Sequence, residues 1–173
     1  MSKLKTNTQL PQTIVSKSVT KTYVLTVSEF FPKTHNKSGL PTGFIDKIGS
    51  KIKKHTIRGN YPLWKKRIDE IQKGNAVLSI RYWTGKPYNS KQKEVYRLDK
   101  DSGIGVQDLY FDDRKLSESF ISNETAVDGI QTYVSNEILS ENDGLSLEDF
   151  KEWFKGYDLN EPMAIVHFTA ERY

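Results

Sequence analysis

Lys53-Lys-His-Thr-Ile-Arg58 sets a lysine, a hydroxyl and a guanidinium within one short stretch. If the stretch is extended, Thr56 and Arg58 point to one side, because strand side chains alternate with period two. Lys53 joins them if the chain turns out of a preceding helix at that point. A lysine, a threonine and an arginine converging on a pocket suit an anionic or carbonyl-bearing ligand. Taken alone, the same spacing describes a basic surface strand, and that plainer reading carries more weight. His55, as the neighbour of Thr56, should face the other way and reads as structural or exposed. His167, in an apolar strand, reads as a satisfied core or edge histidine.

A second set of chemistry-bearing residues follows. Arg81-Tyr-Trp-Thr-Gly-Lys-Pro-Tyr-Asn-Ser-Lys-Gln-Lys93 interleaves aromatics with cations. Trp83 and Tyr88 could stack on bases while Arg81, Lys86, Lys91 and Lys93 meet phosphates. The alternative is that Tyr82 is core, Trp83 covers one end of the fold and the lysines are merely solvated. Glu94 becomes a pocket acid only if its strand faces Lys53.

The distribution of charge favours a polyanion partner. Residues 30–100 carry 17 Lys and Arg against five acids, a net +12, whereas residues 101–173 carry five against 16, a net −11. Such an asymmetry predicts a basic face built from the middle segment. The alternative is mutual neutralisation across the fold.

Other chemistries are excluded by what is missing. Cysteine is absent, which removes disulfides, thiol catalysis, Fe–S clusters and Cys-containing zinc sites. The three histidines are too far apart for a zincin motif. No phosphate-binding Gly-x4-Gly-Lys-Ser/Thr loop, dinucleotide fingerprint or Gly-x-Ser-x-Gly elbow occurs. Apolar runs reach only four residues, as in Met163-Ala-Ile-Val166, too short for a signal-peptide core or a membrane helix. The expectation is a cytoplasmic protein with no metal, no cofactor and no membrane partner.

Several elements must position these residues. Residues 1–20 are polar and read as a flexible basic tail, and residues 21–173 as one domain. Lys21–Ser28 reads as a strand, residues 32–43 as a loop, and Phe44–Ser50 as a short helix with Thr42 as its cap. Asn60 is expected to cap a helix with Pro62 in its first turn, Trp64, Ile68 and Ile71 as its core stripe and Gly74 at its stop. Strands are expected at 76–83, 92–98, 104–111 and 116–122, and a partly helical segment at 130–140. Ser146 should cap a helix with Leu147, Phe150 and Phe154 inward, and Met163–Phe168 reads as a closing strand. Strands mixed with short helices, without regular βαβ alternation, predict an α+β fold, a small barrel with helices at its ends.

The motif residues resemble the signature of the ASCH family, a branch of the PUA-like barrels. There a helix and short turn lead into Lys-x-x-(Thr/Glu)-x-Arg and a strand, positions matched here by Lys53, Thr56 and Arg58. The family's glycine two residues before the lysine is Lys51 here, so Gly49 is expected to serve the turn after a shift. The family's late acidic position is matched by Asp143, within Asn142-Asp-Gly-Leu-Ser-Leu-Glu-Asp-Phe150, with Glu141 as its backup. The resemblance implies a PUA-like (ASCH) mixed β-barrel that binds RNA or a modified nucleoside. Some small ASCH proteins are N4-acetylcytidine amidohydrolases, whose proposed Lys, Thr and Glu triad is matched by Lys53, Thr56 and Asp143. In that chemistry the lysine serves as base to the hydroxyl, Arg58 stabilises an oxyanion and the acid orients the lysine. Asp in place of Glu shortens the reach by about 1.5 Å, one carbon–carbon bond. The residues therefore leave three readings: RNA or nucleotide binding, amidohydrolysis, and a protein-interaction module using the acidic half. For the pocket itself the expectation is that Lys53, Thr56 and Arg58 border one cleft between the first helix and the barrel, with Asp143 or Glu141 across it.

Overall fold

A computed structural model describes residues 21–111, 118–122 and 131–173. The expected tail, and residues 116 and 117 of the strand expected at 116–122, lie outside the described residues. The elements run β1 (Lys21–Thr26), α1 (Phe44–Gly49), β2 (His55–Arg58), α2 (Tyr61–Gln72), β3 (Ala76–Trp83) and β4 (Gln92–Leu98). They continue with β5 (Gly105–Phe111), β6 (Glu118–Ser122), β7 (Gln131–Ser135), α3 (Asn136–Asn142), α4 (Leu147–Phe154) and β8 (Met163–His167).

The fold is α+β. The strands form two sheets, ordered β1-β3-β4 and β2-β8-β5-β6-β7. β1 and β3 are parallel, and the chain between them supplies α1, β2 and α2. β8 lies inside the five-stranded sheet, antiparallel to β2 on one side and to β5 on the other. Its five residues are all buried, which explains why Met-Ala-Ile-Val-His carries no outward polar position. The expected closed barrel is not formed among the described residues. β1 pairs only with β3 and β2 only with β8, while α2 packs against β3 of one sheet and β5 and β8 of the other. Trp64, Ile68 and Ile71 form the buried stripe of α2, so the core lies between helix and sheets. No helix among the described residues is long and apolar enough to cross a membrane.

Most local signals operate as their chemistry requires. Asn60 Oδ1 accepts from the Leu63 amide (3.1 Å), and Ser146 Oγ from the Asp149 amide (3.1 Å), each satisfying an orphan donor of a first helical turn. One expectation changes and another gains detail. The N-cap of α1 is Gly43, in the left-handed region at φ 67°; Thr42 lies one residue earlier, though its Oγ1 accepts from the Phe44 amide (3.2 Å). The stretch expected to be partly helical, 130–140, is helical in its second half and a strand before that. Thr132, Tyr133 and Val134 extend as β7 against β6, and Ser135 then caps α3 by accepting from the Ile138 amide.

Candidate functional site

The turn after α1 delivers Lys53. The left-handed residue of that turn is Lys51 itself, at φ 60°. Gly49 does not take the role: it is helical, and a side chain there would run into the Tyr96 hydroxyl. The turn thus holds a lysine in a glycine-like conformation, a strain of about 1 kcal/mol. The Lys53 amide then donates back to the Lys47 carbonyl (2.9 Å), and the Lys54 amide to the Asn142 carbonyl (2.7 Å). The second bond locks β2 to the end of α3.

The far wall comes from the turn between α3 and α4. Gly144, at φ 74°, reverses the chain there. A Cβ on it would sit 3.1 Å from Lys53 Cβ and 3.3 Å from Lys47 Cδ, so glycine permits this turn to close on the lysine. Lys47 fastens it by donating to the carbonyls of Gly144 (2.8 Å) and Thr42 (3.0 Å).

These turns bring Lys53, Thr56, Arg58 and Asp143 into one cavity of about 230 Å³, lined also by Thr26, Ser28 and the aromatic rings of Phe44, Trp153 and Tyr157. Lys53 Nζ donates to Asp143 Oδ1 (2.6 Å) and to the Asp143 main-chain carbonyl (2.7 Å), and lies 4.0 Å from the centroid of the Phe44 ring. The Lys53 side chain is 1% exposed and that of Asp143 7%. Arg58 is half-buried; its Nη1 donates to Thr56 Oγ1 (2.8 Å) and the Ile57 carbonyl (2.8 Å), and its Nη2 to the Thr26 carbonyl (2.7 Å). The shorter acid therefore does reach its lysine.

Burial controls the electrostatics. Loss of water pushes the Lys53 ammonium down to about 8, against the pull of Asp143 in the other direction, with Arg58 and Lys47 adding to the fall. Burial works to raise the Asp143 carboxyl, but the Lys53 charge and the contact with His55 outweigh it and hold the group below the usual carboxylate range. Desolvation also lowers the Arg58 guanidinium. A lysine lowered to about 8 by burial and touching a buried carboxylate beside a cleft is a candidate for proton exchange. The neighbouring Thr56 hydroxyl already accepts a guanidinium proton, which makes it a better acid.

The other expected residues are placed elsewhere. Glu141 is exposed on α3 and does not line the cavity, so Asp143 alone supplies the acid. Glu94 does not face Lys53. It accepts from Ser79 Oγ and from Arg97 Nε (3.1 Å) and Nη2 (3.0 Å), with Arg81 Nη2 4.0 Å away. Hydrogen bonds from Ser79 and Arg97 lower its carboxyl. Trp83 is half-buried and its ring centroid lies 5.4 Å from that of Tyr88, while Tyr88 and Lys86 are exposed at the tip of the β3–β4 hairpin. Arg81 donates from Nε to Ser79 Oγ (2.7 Å). The hairpin adjoins the cleft through the main chain: Thr26, a cleft residue, is the register partner of Arg81.

Two cleft aromatics, Trp153 and Tyr157, were not expected from the sequence. Trp153 extends the Phe150/Phe154 stripe of α4 by a neighbouring position, and Tyr157 continues it past Gly156; their type was visible, their direction was not. Of the two alternatives for His55, structural or exposed, the structure shows the structural one. It faces away from Thr56, is 1% exposed, and its Nδ1 lies 3.6 Å from Asp143 Oδ1. Among the described residues no group of three or more His, Asp or Glu side chains could hold a metal ion. No protein-family model, curated protein or solved structure matches the chain.

Proposed function

We propose that this chain is an ASCH-type, PUA-like domain that binds single-stranded RNA or a nucleotide-like ligand in the Lys53–Thr56–Arg58 cleft. The observation that carries the reading is the convergence of those three residues and Asp143, drawn from remote segments, in a cavity walled by aromatics. Trp153 and Tyr157 offer faces for a base, and Arg58 and Thr56 offer donors to its carbonyl oxygen. The hairpin beside the cleft, with Trp83, Lys86, Tyr88, Lys91 and Arg81, would follow the phosphates. The cavity is smaller than the roughly 300–1,000 Å³ of drug-sized sites, which suits one base with its sugar and phosphates left outside.

The test is a filter-binding titration with a single-stranded RNA oligonucleotide. Affinity should fall steeply between 50 and 200 mM salt, by about 10³-fold if six phosphates are contacted. Arg58→Ala should cost about tenfold at either salt, a loss of about 1.4 kcal/mol. Lys86→Glu with Lys91→Glu should instead flatten the salt slope. Affinity equal to that for an uncharged oligonucleotide analogue at low salt excludes RNA as the ligand.

A second reading, hydrolysis of an N4-acylated cytidine, is favoured by the titration of Lys53 near 8 beside Thr56. Thr56 Oγ would add to the acyl carbonyl as neutral Lys53 accepts its proton. Lys53 would then return that proton to the departing amine, and water would release the acid from the threonine ester. Acetate release from N4-acetylcytidine, abolished by Thr56→Ala in a folded protein, is the expected result. No turnover by a wild-type protein that binds the nucleoside leaves a binding cleft.

A further inference from the structure

Behind the cleft, a chain of side chains that neither reading above uses runs up to Asp143. Asn142 Nδ2 donates to Tyr173 Oη (2.8 Å), and Tyr173 Oη lies 2.8 Å from His55 Nε2. His55 Nδ1 lies 3.6 Å from Asp143 Oδ1, too long for a hydrogen bond and short for an ion–dipole contact. Hydrogen-bond roles follow from the inventory of donors and acceptors. An ionised carboxylate only accepts, so the imidazole must present a hydrogen at Nδ1. Nε2 is then an acceptor, and the Tyr173 hydroxyl donates to it while its lone pair accepts from Asn142. Every dipole of the chain points its positive end toward Asp143. Burial lowers His55 and raises Tyr173, so the imidazole stays neutral and the phenol stays protonated at ordinary pH.

We propose that His55, fixed by Tyr173 and Asn142, is a positioning residue that aims the Asp143 carboxylate at Lys53 and becomes its donor when Lys53 gives up its proton. A buried carboxylate left without its counter-charge is costly, and a neutral amine is a far weaker donor than an ammonium, so the neutral-lysine state of the cleft needs a second donor. His55 supplies it after a closure of about half an ångström, the kind of tightening that bound states produce. The charged and titratable groups around this pair are few. Lys53 is faced by Asp143, by Arg58 from β2 and by Lys47 from α1; His55 is faced by Asp143, Lys53, Lys54, Tyr173 and the ring of His167, centroid to centroid 5.7 Å. Lys54 is engaged outward with Glu171 (2.7 Å).

The inference deepens the reading of the same cleft, but its readout is the titration of Lys53 itself, so a protein that binds neither RNA nor nucleoside still decides it. The experiment follows the Lys53 Cε and Nζ resonances by NMR against pH in the full chain. His55→Phe removes the Nδ1–H and leaves Lys53 as the sole side-chain partner of the carboxylate. That stabilises the protonated lysine, and its midpoint should rise by about one pH unit. Tyr173→Phe frees the imidazole tautomer and should shift the midpoint the same way by less, serving where His55→Phe does not fold. His55→Asn keeps an N–H near the Nδ1 position and should restore the wild-type midpoint. A midpoint unchanged in both Phe variants, or shifted alike by His55→Asn and His55→Phe, overturns the proposal.

Discussion

The cleft and the β3–β4 hairpin are built from the same residue types, cations beside an acid and aromatic rings, yet they are different objects. In the hairpin, Glu94 shares Arg81, Arg97 and Ser79 in contact with water. In the cleft, Lys53 and Asp143 are sealed between two turns. Solvent screens the first set, so its ion pairs hold a shape without setting a reactivity. Desolvation dominates the second, and the same kinds of contact there bring a lysine to within about a unit of neutral pH. Composition identifies neither behaviour; the amount of water does.

Removing one acid from each region should separate them most sharply. Asp143→Ala leaves the buried Lys53 charge uncompensated and should cost about 3–5 kcal/mol of stability. Exchanging both partners for apolar residues, Lys53→Met with Asp143→Leu, should recover most of that. Glu94→Ala should cost no more than about 1 kcal/mol. Urea unfolding of the variants measures all three, and equal losses from Asp143→Ala and Glu94→Ala would erase the distinction.

Acid should reach the cleft region before the hairpin. Burial holds both His55 and His167 below their ordinary 6.5. In the unfolded chain they protonate near 6.5 while the folded protein keeps them neutral. The unfolded state therefore binds more protons, and stability is full above 6.5 and falls as pH drops below it. Each histidine contributes a slope of up to about 1.4 kcal/mol per pH unit. Thermal melts from pH 7.5 to 5 should show this decline, and His167→Gln should flatten it. A melting temperature constant across that range contradicts neutral burial of the pair.

The smallest effect concerns the turn before Lys53. Lys51→Gly relieves the left-handed strain and should raise stability by about 1 kcal/mol, read from the urea midpoint at constant slope. The hairpin offers a control at Tyr88, also at positive φ but 88% exposed, where Tyr88→Gly should gain stability yet lose whatever affinity the ring gives.

Much of the fold was legible because its signals are local. Asn60 and Ser146 as caps, Gly74 as a stop and the Trp64/Ile68/Ile71 stripe each act through neighbours within a few residues. Detail was not legible where local signals compete. Tyr133 and Val134 sit next to a helix yet pair with β6, because an unpaired sheet edge outweighs the weak helix preference of β-branched and aromatic residues. Glu141 and Asp143 differ by two positions in sequence, and only the helix end decides which faces inward.

By itself, then, the sequence determined the alternation that puts Thr56 and Arg58 on one side of β2 and His55 on the other, since that follows from strand geometry alone. It also determined the exclusion of thiol, zincin and P-loop chemistry, since those need residues at spacings the chain lacks. Only the tertiary structure decided that Lys53 meets Asp143, that Trp153 and Tyr157 wall the cleft, and that His55 backs the carboxylate. Those contacts join residues about 90 positions or more apart, and each depends on the α3–α4 turn closing over β2 through Gly144 and the Lys54–Asn142 bond. Burial is a property of that closure. No spacing encodes it, and it alone turns a basic strand into a pocket with a lysine able to exchange its proton.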